Sequence, residues 1–270
     1  MSIFQKFLFS YHATKFKFKY CNARFFKLTL PDSFYDTGVH CIPNFFSKIE
    51  CHTFISEIDR ILSVYNQHLL VDNEQSDYRL FGADRVSEPI QSFWEHPTLR
   101  NYTQSYLGYR SFSPHIQGFT LAARLNYTPK NLGSGGGWHR DTIYNKQFKA
   151  IVYLTDVDES NGPFQYISGT HTLKSKYDLI KRYQFTHDHN RVTHKDAITI
   201  SEDPNYPLQT FPGKAGTVIL ADTSGIHRGK PIESGTRYAL TNYYIQKPLF
   251  KRNAIPPNMR MGLLKNTPIK

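Results

Sequence analysis

The chain has 270 residues, enough for one sizeable domain or two small ones. With 39% hydrophobic residues, 18 Tyr and 20 Phe, it can bury a real core, which excludes a disordered chain; no run of about 18 apolar residues marks a membrane span. A net charge of +11 implies attraction to an anionic ligand, nucleic acid or membrane surface. The basic residues are spread along the chain without a nucleic-acid motif, so a nucleic-acid partner is not expected.

Residues 1–36 read as an N-terminal extension. Phe4, Phe7, Leu8 and Tyr11 fall at helical spacing, and "KFKFKY" then alternates, with Phe16, Phe18 and Tyr20 on one strand face and three lysines on the other. Two readings stand for this segment: an element packed on the domain, or peripheral contact of residues 1–20 with an anionic membrane surface. Gln5, Lys6 and His12 interrupt any signal-peptide core. Cys21, Cys41 and Cys51 lack CxxC spacing and fit free thiols in a reducing compartment, so a cytoplasmic setting is expected.

Ser47 to Glu50, "SKIE", is a capping box. It predicts a helix in which Ile49, Phe54, Ile58, Ile61, Leu62 and Tyr65 form an apolar stripe. Short helices are expected around 89–107. From about residue 116 the period changes to two. "FTLAARLNY" places Phe119, Leu121, Ala123, Leu125 and Tyr127 on one face, and Ala122, Arg124 and Asn126 on the other. Strands are also expected at 148–157, 216–222 and 237–245, separated by Gly/Pro/Asn turns. This spacing predicts a mainly β, closed or sandwiched fold, with helices from the N-terminal part packed outside.

"GGGWHRDT" (135–142) carries a His-x-Asp pair, His139 and Asp141, between two strand patterns. The pair alone is weak, because His194 and Asp196 form another. In an extended segment, residues i and i+2 share a face and can reach one ion. "ADTSGIHRGKP" supplies His227 after the strand "TVILA", and Arg237 opens the next strand ten residues later. His194 and Asp196 lie in a stretch with His187 and His189 that reads as a solvated loop or lid. Two His and one carboxylate make the facial triad of non-haem Fe(II) oxygenases, although the same donors hold Zn²⁺. Arg237 favours the oxygenase reading, since a guanidinium can hold the free end of a metal-chelated dicarboxylate.

"WHRD", "NGPFQYISGTH" and "IHRGKPIESGTR", in that order, resemble the phytanoyl-CoA dioxygenase family of Fe(II)/2-oxoglutarate oxygenases, over roughly residues 37–247. The resemblance implies a double-stranded β-helix core with flanking N-terminal helices, in a domain spanning 37–250, with 251–270 as a C-terminal tail. It implies Fe(II) at His139, Asp141 and His227, 2-oxoglutarate at Arg237, and O₂ as the further cosubstrate. "ARLNYTP" resembles a family strand whose Asn approaches 2-oxoglutarate, which points to Asn126. Arg124 shares that face and is a substrate candidate; an internal polar network is the other reading for both. Trp138 either packs under the site or walls the substrate pocket. Because position 141 is Asp, the resemblance does not extend to halogenases. The implied activity is hydroxylation of a small, anionic, acyl or saccharide-like molecule, with succinate and CO₂ as coproducts. The rival readings are a cupin-type metal isomerase or hydrolase, and a non-enzymatic basic binding module.

Overall fold

The computed structural model describes residues 30–109, 112, 115–142, 146–183 and 190–246. The expected elements at 4–20, the residues 1–20 proposed for membrane contact, Cys21, His187, His189 and the tail 251–270 lie outside the described residues. Among those described, no helix is long and apolar enough to cross a membrane.

A short helix, α1 (Asp32–Thr37), precedes strand β1 (Val39–Ile42). Leu30 and Phe34 are buried in the main core. The packed fold therefore includes the end of the segment expected to be an extension.

Helix α2 (Lys48–Val64) starts at the expected capping box. The Glu50 backbone N–H donates to Ser47 Oγ at 3.2 Å, and the Ser47 N–H donates to Glu50 Oε2 at 2.7 Å. Its buried stripe is Cys51, Phe54, Ile58, Ile61 and Leu62. Ile49, expected on that stripe, is 81% exposed. At about 100° per residue it points away from Phe54, five positions on, and Cys51 takes the i−3 place instead. Strands β2 (Leu70–Val71) and β3 (Asp77–Phe81) follow. Helices α3 (Glu88–Glu95) and α4 (Pro97–Leu107) then fill the region where short helices were expected.

The remaining strands are β4 (Ile116–Asn126), β5 (Gln147–Tyr153), β6 (Phe164–Ile167), β7 (Leu208–Phe211), β8 (Val218–Asp222), β9 (His227–Gly229) and β10 (Thr236–Gln246). They build a seven-stranded sheet ordered β1-β8-β5-β10-β4-β3-β2 and a three-stranded sheet ordered β7-β6-β9. All pairings are antiparallel.

Period-two alternation gives the large sheet two buried faces. One presents Ala122, Phe148, Ala150, Val152, Leu220, Leu240 and Tyr244 to a core shared with Phe54, Ile58, Phe93 and Leu107 of the helices. The other, with Leu121, Ala123, Leu125, Ile151, Tyr153 and Ala239, lines a cleft that Phe164, His227 and Gly229 of the small sheet also line.

The architecture is mixed α/β rather than mainly β. Two helices, α5 (Leu173–Tyr183) and α6 (His194–Ser201), lie between β6 and β7, in the half where the sequence predicts strands and turns. Their apolar residues Leu179, Ile180, Ala197 and Ile200 form a second core with Trp138, Ile167 and Ile226. The stretch expected as a solvated loop ends in helix α6, because Thr193 caps it by accepting from the Asp196 N–H at 3.0 Å.

Candidate metal centre and its cleft

The segment carrying His139 is pinned to β9 by backbone pairing. The His139 N–H donates to His227 O at 2.9 Å, and the His227 N–H donates to His139 O at 3.0 Å. This exchange sets the two imidazole rings side by side, with centroids 4.3 Å apart. The Asp141 N–H donates to Thr223 O at 2.9 Å, which directs the carboxylate to the same place. Asp141 Oδ1 lies 3.8 Å from His139 Nε2, and Asp141 Oδ2 lies 4.0 Å from His227 Nε2. One ligand atom from each of the three residues lies within 4.8 Å of the others.

The glycines before the motif serve this geometry. Gly135 has φ +86°, and a Cβ there would sit 2.6 Å from His139 Cε1. Arg191 holds the loop by donating through Nη1 to the carbonyls of Gly135 (2.5 Å) and Gly136 (2.9 Å).

Each imidazole is oriented for a metal. His139 Nδ1 lies 2.8 Å from Gly137 O, and His227 Nδ1 lies 3.0 Å from Gly225 O. A carbonyl only accepts, so both Nδ1 atoms carry the proton, and each Nε2 lone pair faces Asp141. Burial pushes the His139 imidazole down to about 4, with Asp141 opposing. Burial, then His139, lowers His227 well below the ordinary value. Burial pushes the Asp141 carboxyl up, but Lys149, then His227 and His139, more than offset this and hold it below the usual range. Two neutral imidazoles and an ionised carboxylate are the donor set a divalent transition metal takes, and the buried site has atoms aimed at a shared point.

Arg237 stands on β10, buried, and lines the same cleft. Its register partner on β4 is Leu125, which is also paired with Asp77 on β3. Tyr153 lines the cleft as well, and burial raises its phenol to about 12. The cleft is partly open to solvent.

Not every expected site residue reaches this space. Asn126 accepts from Thr236 Oγ1 at 3.1 Å, and Arg124 Nη1 lies 3.2 Å from Asp59 Oδ1 on α2. Both belong to the sheet face opposite the cleft, because Leu121, Ala123 and Leu125 take the inward positions of β4. These contacts fit the polar-network reading of Asn126 and Arg124. Trp138 packs under the site in the second core, with the Arg228 guanidinium 4.5 Å from its ring centroid, and does not wall the cleft. His194 and Asp196 sit in the first turn of α6, and no second metal-type cluster occurs among the described residues.

Two cleft cations were not anticipated. Arg79 lines the cleft from β3, with Nε 3.3 Å from Asp77 Oδ2. Lys149 on β5 places Nζ 2.6 Å from Asp141 Oδ2 and 4.0 Å from the Tyr243 ring centroid. The available signal was a lysine at an inward position of the otherwise apolar run "FKAIVY".

A largely buried His/Asp/His set at a cleft between two antiparallel sheets defines a mononuclear metal-centre class. Residues 34–238 match the phytanoyl-CoA dioxygenase (PhyH) family, and the chain belongs to this family of iron- and 2-oxoglutarate-dependent oxygenases. No curated protein matches the chain by sequence. Among solved structures, the fold is similar to the α-ketoglutarate-dependent carbocyclase SnoK from nogalamycin biosynthesis (16% identity, 86% of this chain and 90% of that one, TM-score 0.60). It is similar to HygX from Streptomyces hygroscopicus with nickel and 2-oxoglutarate bound (17%, 82% and 88%, TM-score 0.56). A third is EctD from S. alaskensis with bound Fe (15%, 78% and 73%, TM-score 0.57).

Proposed function

We propose that the chain is an Fe(II)- and 2-oxoglutarate-dependent dioxygenase that hydroxylates a C–H bond of a small anionic, acyl or saccharide-like molecule, with succinate and CO₂ as coproducts. The observation that carries this reading is one cleft lined by both the imidazoles of the His139, Asp141, His227 set and a buried guanidinium, Arg237. The two sheets around it support closure as a double-stranded β-helix.

His139, Asp141 and His227 would hold the iron. Arg237 would receive the distal carboxylate of 2-oxoglutarate in a charge-assisted fork. Bound iron and 2-oxoglutarate supply O₂ activation coupled to decarboxylation. The chain supplies position and environment. The Gly137 and Gly225 carbonyls hold the imidazole tautomers, and Leu121, Leu125, Ile151 and Ala239 give the cleft apolar walls that exclude water. The free thiols of Cys41 and Cys51 support a cytoplasmic setting.

The test is incubation with Fe(II), 2-oxoglutarate and O₂ against a panel of acids, acyl compounds and saccharides, with succinate and product mass measured. Metal-dependent succinate release and a product heavier by one oxygen atom are expected. A product of unchanged mass, or lighter by two hydrogens, would redirect the assignment to epimerisation or cyclisation. Absence of metal-dependent succinate across the panel would favour a different metalloenzyme.

A further inference from the structure

Among the described residues, the charges of the cleft do not balance. Arg79, Lys149 and Arg237 line it, and the carboxylates paired with them are Asp77 and Asp141. A divalent metal and the dianion of 2-oxoglutarate cancel each other, so the loaded site keeps one positive charge beyond its carboxylates. Buried charge without a partner is costly, and a site that keeps one is built to receive the opposite charge.

The surplus falls at Lys149. Arg79 has Asp77, with Nε to Oδ2 at 3.3 Å. On the proposed function, on which this inference rests, Arg237 has the distal carboxylate and the metal draws on Asp141. That leaves Lys149 sharing a single carboxylate with a dication. Lys149 faces the cleft in one row with Phe119, Tyr243 and Ala221 across β4, β10, β5 and β8. Its register partner Tyr243 is six residues from Arg237 on β10, so the two cations mark opposite ends of the cleft. Tyr243 stacks on Phe119, with centroids 4.8 Å apart, and supports the ammonium with its ring. An ammonium has three N–H donors; Asp141 and the Tyr243 hydroxyl take two, which leaves one for a further acceptor.

We infer that Lys149 is the anion receptor for the prime substrate, and that this substrate carries a carboxylate or comparable monoanion which docks on Nζ beside the metal centre. Lys149 thereby sets specificity by charge, and it places the oxidised carbon near the anionic group.

The test uses the full chain loaded with Ni(II), which does not turn over, and 2-oxoglutarate. Calorimetry then measures butyrate against butyramide, hexanoate against hexanamide and benzoate against benzamide. The carboxylates should bind about tenfold more tightly than their amides. Lys149→Met should erase that preference and Lys149→Arg should keep it. Because Lys149 competes with the metal for Asp141, Lys149→Met should bind Ni(II) no more weakly than the wild type. If the Met variant fails to fold, Lys149→Gln is read by the same criteria. A wild type that does not distinguish carboxylate from amide, or a Met variant that still does, overturns the inference. Tenfold weaker Ni(II) binding in the variant would make Lys149 a positioning residue for Asp141, and tenfold weaker 2-oxoglutarate would make it a cosubstrate contact; either result also overturns it. Failure of wild-type protein to bind 2-oxoglutarate in a metal-dependent way would instead sink the proposed function, and is read before any probe is added.

Discussion

The molecule holds two clusters of buried charge, and only one of them is a site. On the cleft face, Asp141 and Lys149 sit with the two imidazoles around a space that their ligand atoms share. In the other, at the end of β8, Asp222 accepts from Tyr106 Oη and, at 2.9 Å, from the Ser224 N–H, while Lys176 Nζ donates to Ser224 Oγ at 2.8 Å. Both clusters are largely buried, and both carry shifted groups. Burial takes Lys176 down to about 7, with Asp222 opposing, and Lys146 down to about 8. The second cluster is filled: the Tyr166 hydroxyl donates to Asp222 O at 2.8 Å and lies so near Gly225 that no Cβ fits there. Perturbed groups in a packed network stabilise or destabilise a fold. The same groups around a cleft with aligned lone pairs can hold a ligand.

The largest effect is expected at Asp141. Asp141→Ala removes a ligand and leaves Lys149 buried without a carboxylate. Metal binding by calorimetry should be lost, and the metal-free fold should be less stable by about 3–5 kcal/mol. Unchanged metal affinity would erase the distinction between the clusters.

At the other end of the cleft, Arg237→Ala should raise the Michaelis constant for 2-oxoglutarate by about a hundredfold or more, far more than that for the prime substrate, since removing one partner of a desolvated pair costs about 3–5 kcal/mol. Arg237→Lys should recover part of the loss, because a point charge cannot reproduce the fork. Equal effects on both Michaelis constants would remove Arg237 from the cosubstrate.

The packed cluster should instead show itself in stability against pH. Lys176 loses its proton at about 7 in the folded chain, whereas an unfolded lysine keeps it to about 10.5. The unfolded state therefore binds more protons between these values, and stability rises with pH through that window, by up to about 1.4 kcal/mol per pH unit. Lys146 adds the same sign from about 8 upward. Denaturant unfolding of Lys176→Met between pH 7 and 9.5 should show a shallower rise than the wild type. Identical slopes would mean that Lys176 is not buried as a neutral amine.

Legibility in the sequence followed the same division. His139, Asp141 and His227 were readable because strand periodicity fixes which side chains share a face, and because the spacing to Arg237 is set by one turn and one strand. The capping box at Ser47 was readable because it is local. Helix α5 was missed: "LKSKYDLIKRY" buries Ser175 and Lys176 along with Leu179 and Ile180, so its inner face does not look apolar. Lys149 was missed because its partner, Asp141, is eight residues away along the chain, and no local rule joins them. Arg124 and Asn126 were placed correctly on one face of β4. Alternation alone does not say which face meets the cleft, since both faces of this sheet are buried.

Arg124 gives the smallest expected effect and the cleanest contrast with Arg237. It is placed by register on Tyr238, next to Arg237 in β10, so the two guanidinium groups stand on opposite faces of adjacent strands. Arg124 is partly exposed, 3.2 Å from Asp59 on α2 and 5.1 Å from the centroid of the Tyr78 ring. A partly exposed ion pair of this kind contributes about 0.2–1 kcal/mol, and the guanidinium over the Tyr78 ring adds a similar amount. Arg124→Ala should therefore lower stability by about 1 kcal/mol and leave the Michaelis constant for 2-oxoglutarate within about twofold of the wild type. Raised salt should shrink the stability difference, because exposed pairs are screened. A tenfold rise in that Michaelis constant, with stability unchanged, would show that this face of β4 reaches the cosubstrate after all, and that the assignment of faces is inverted.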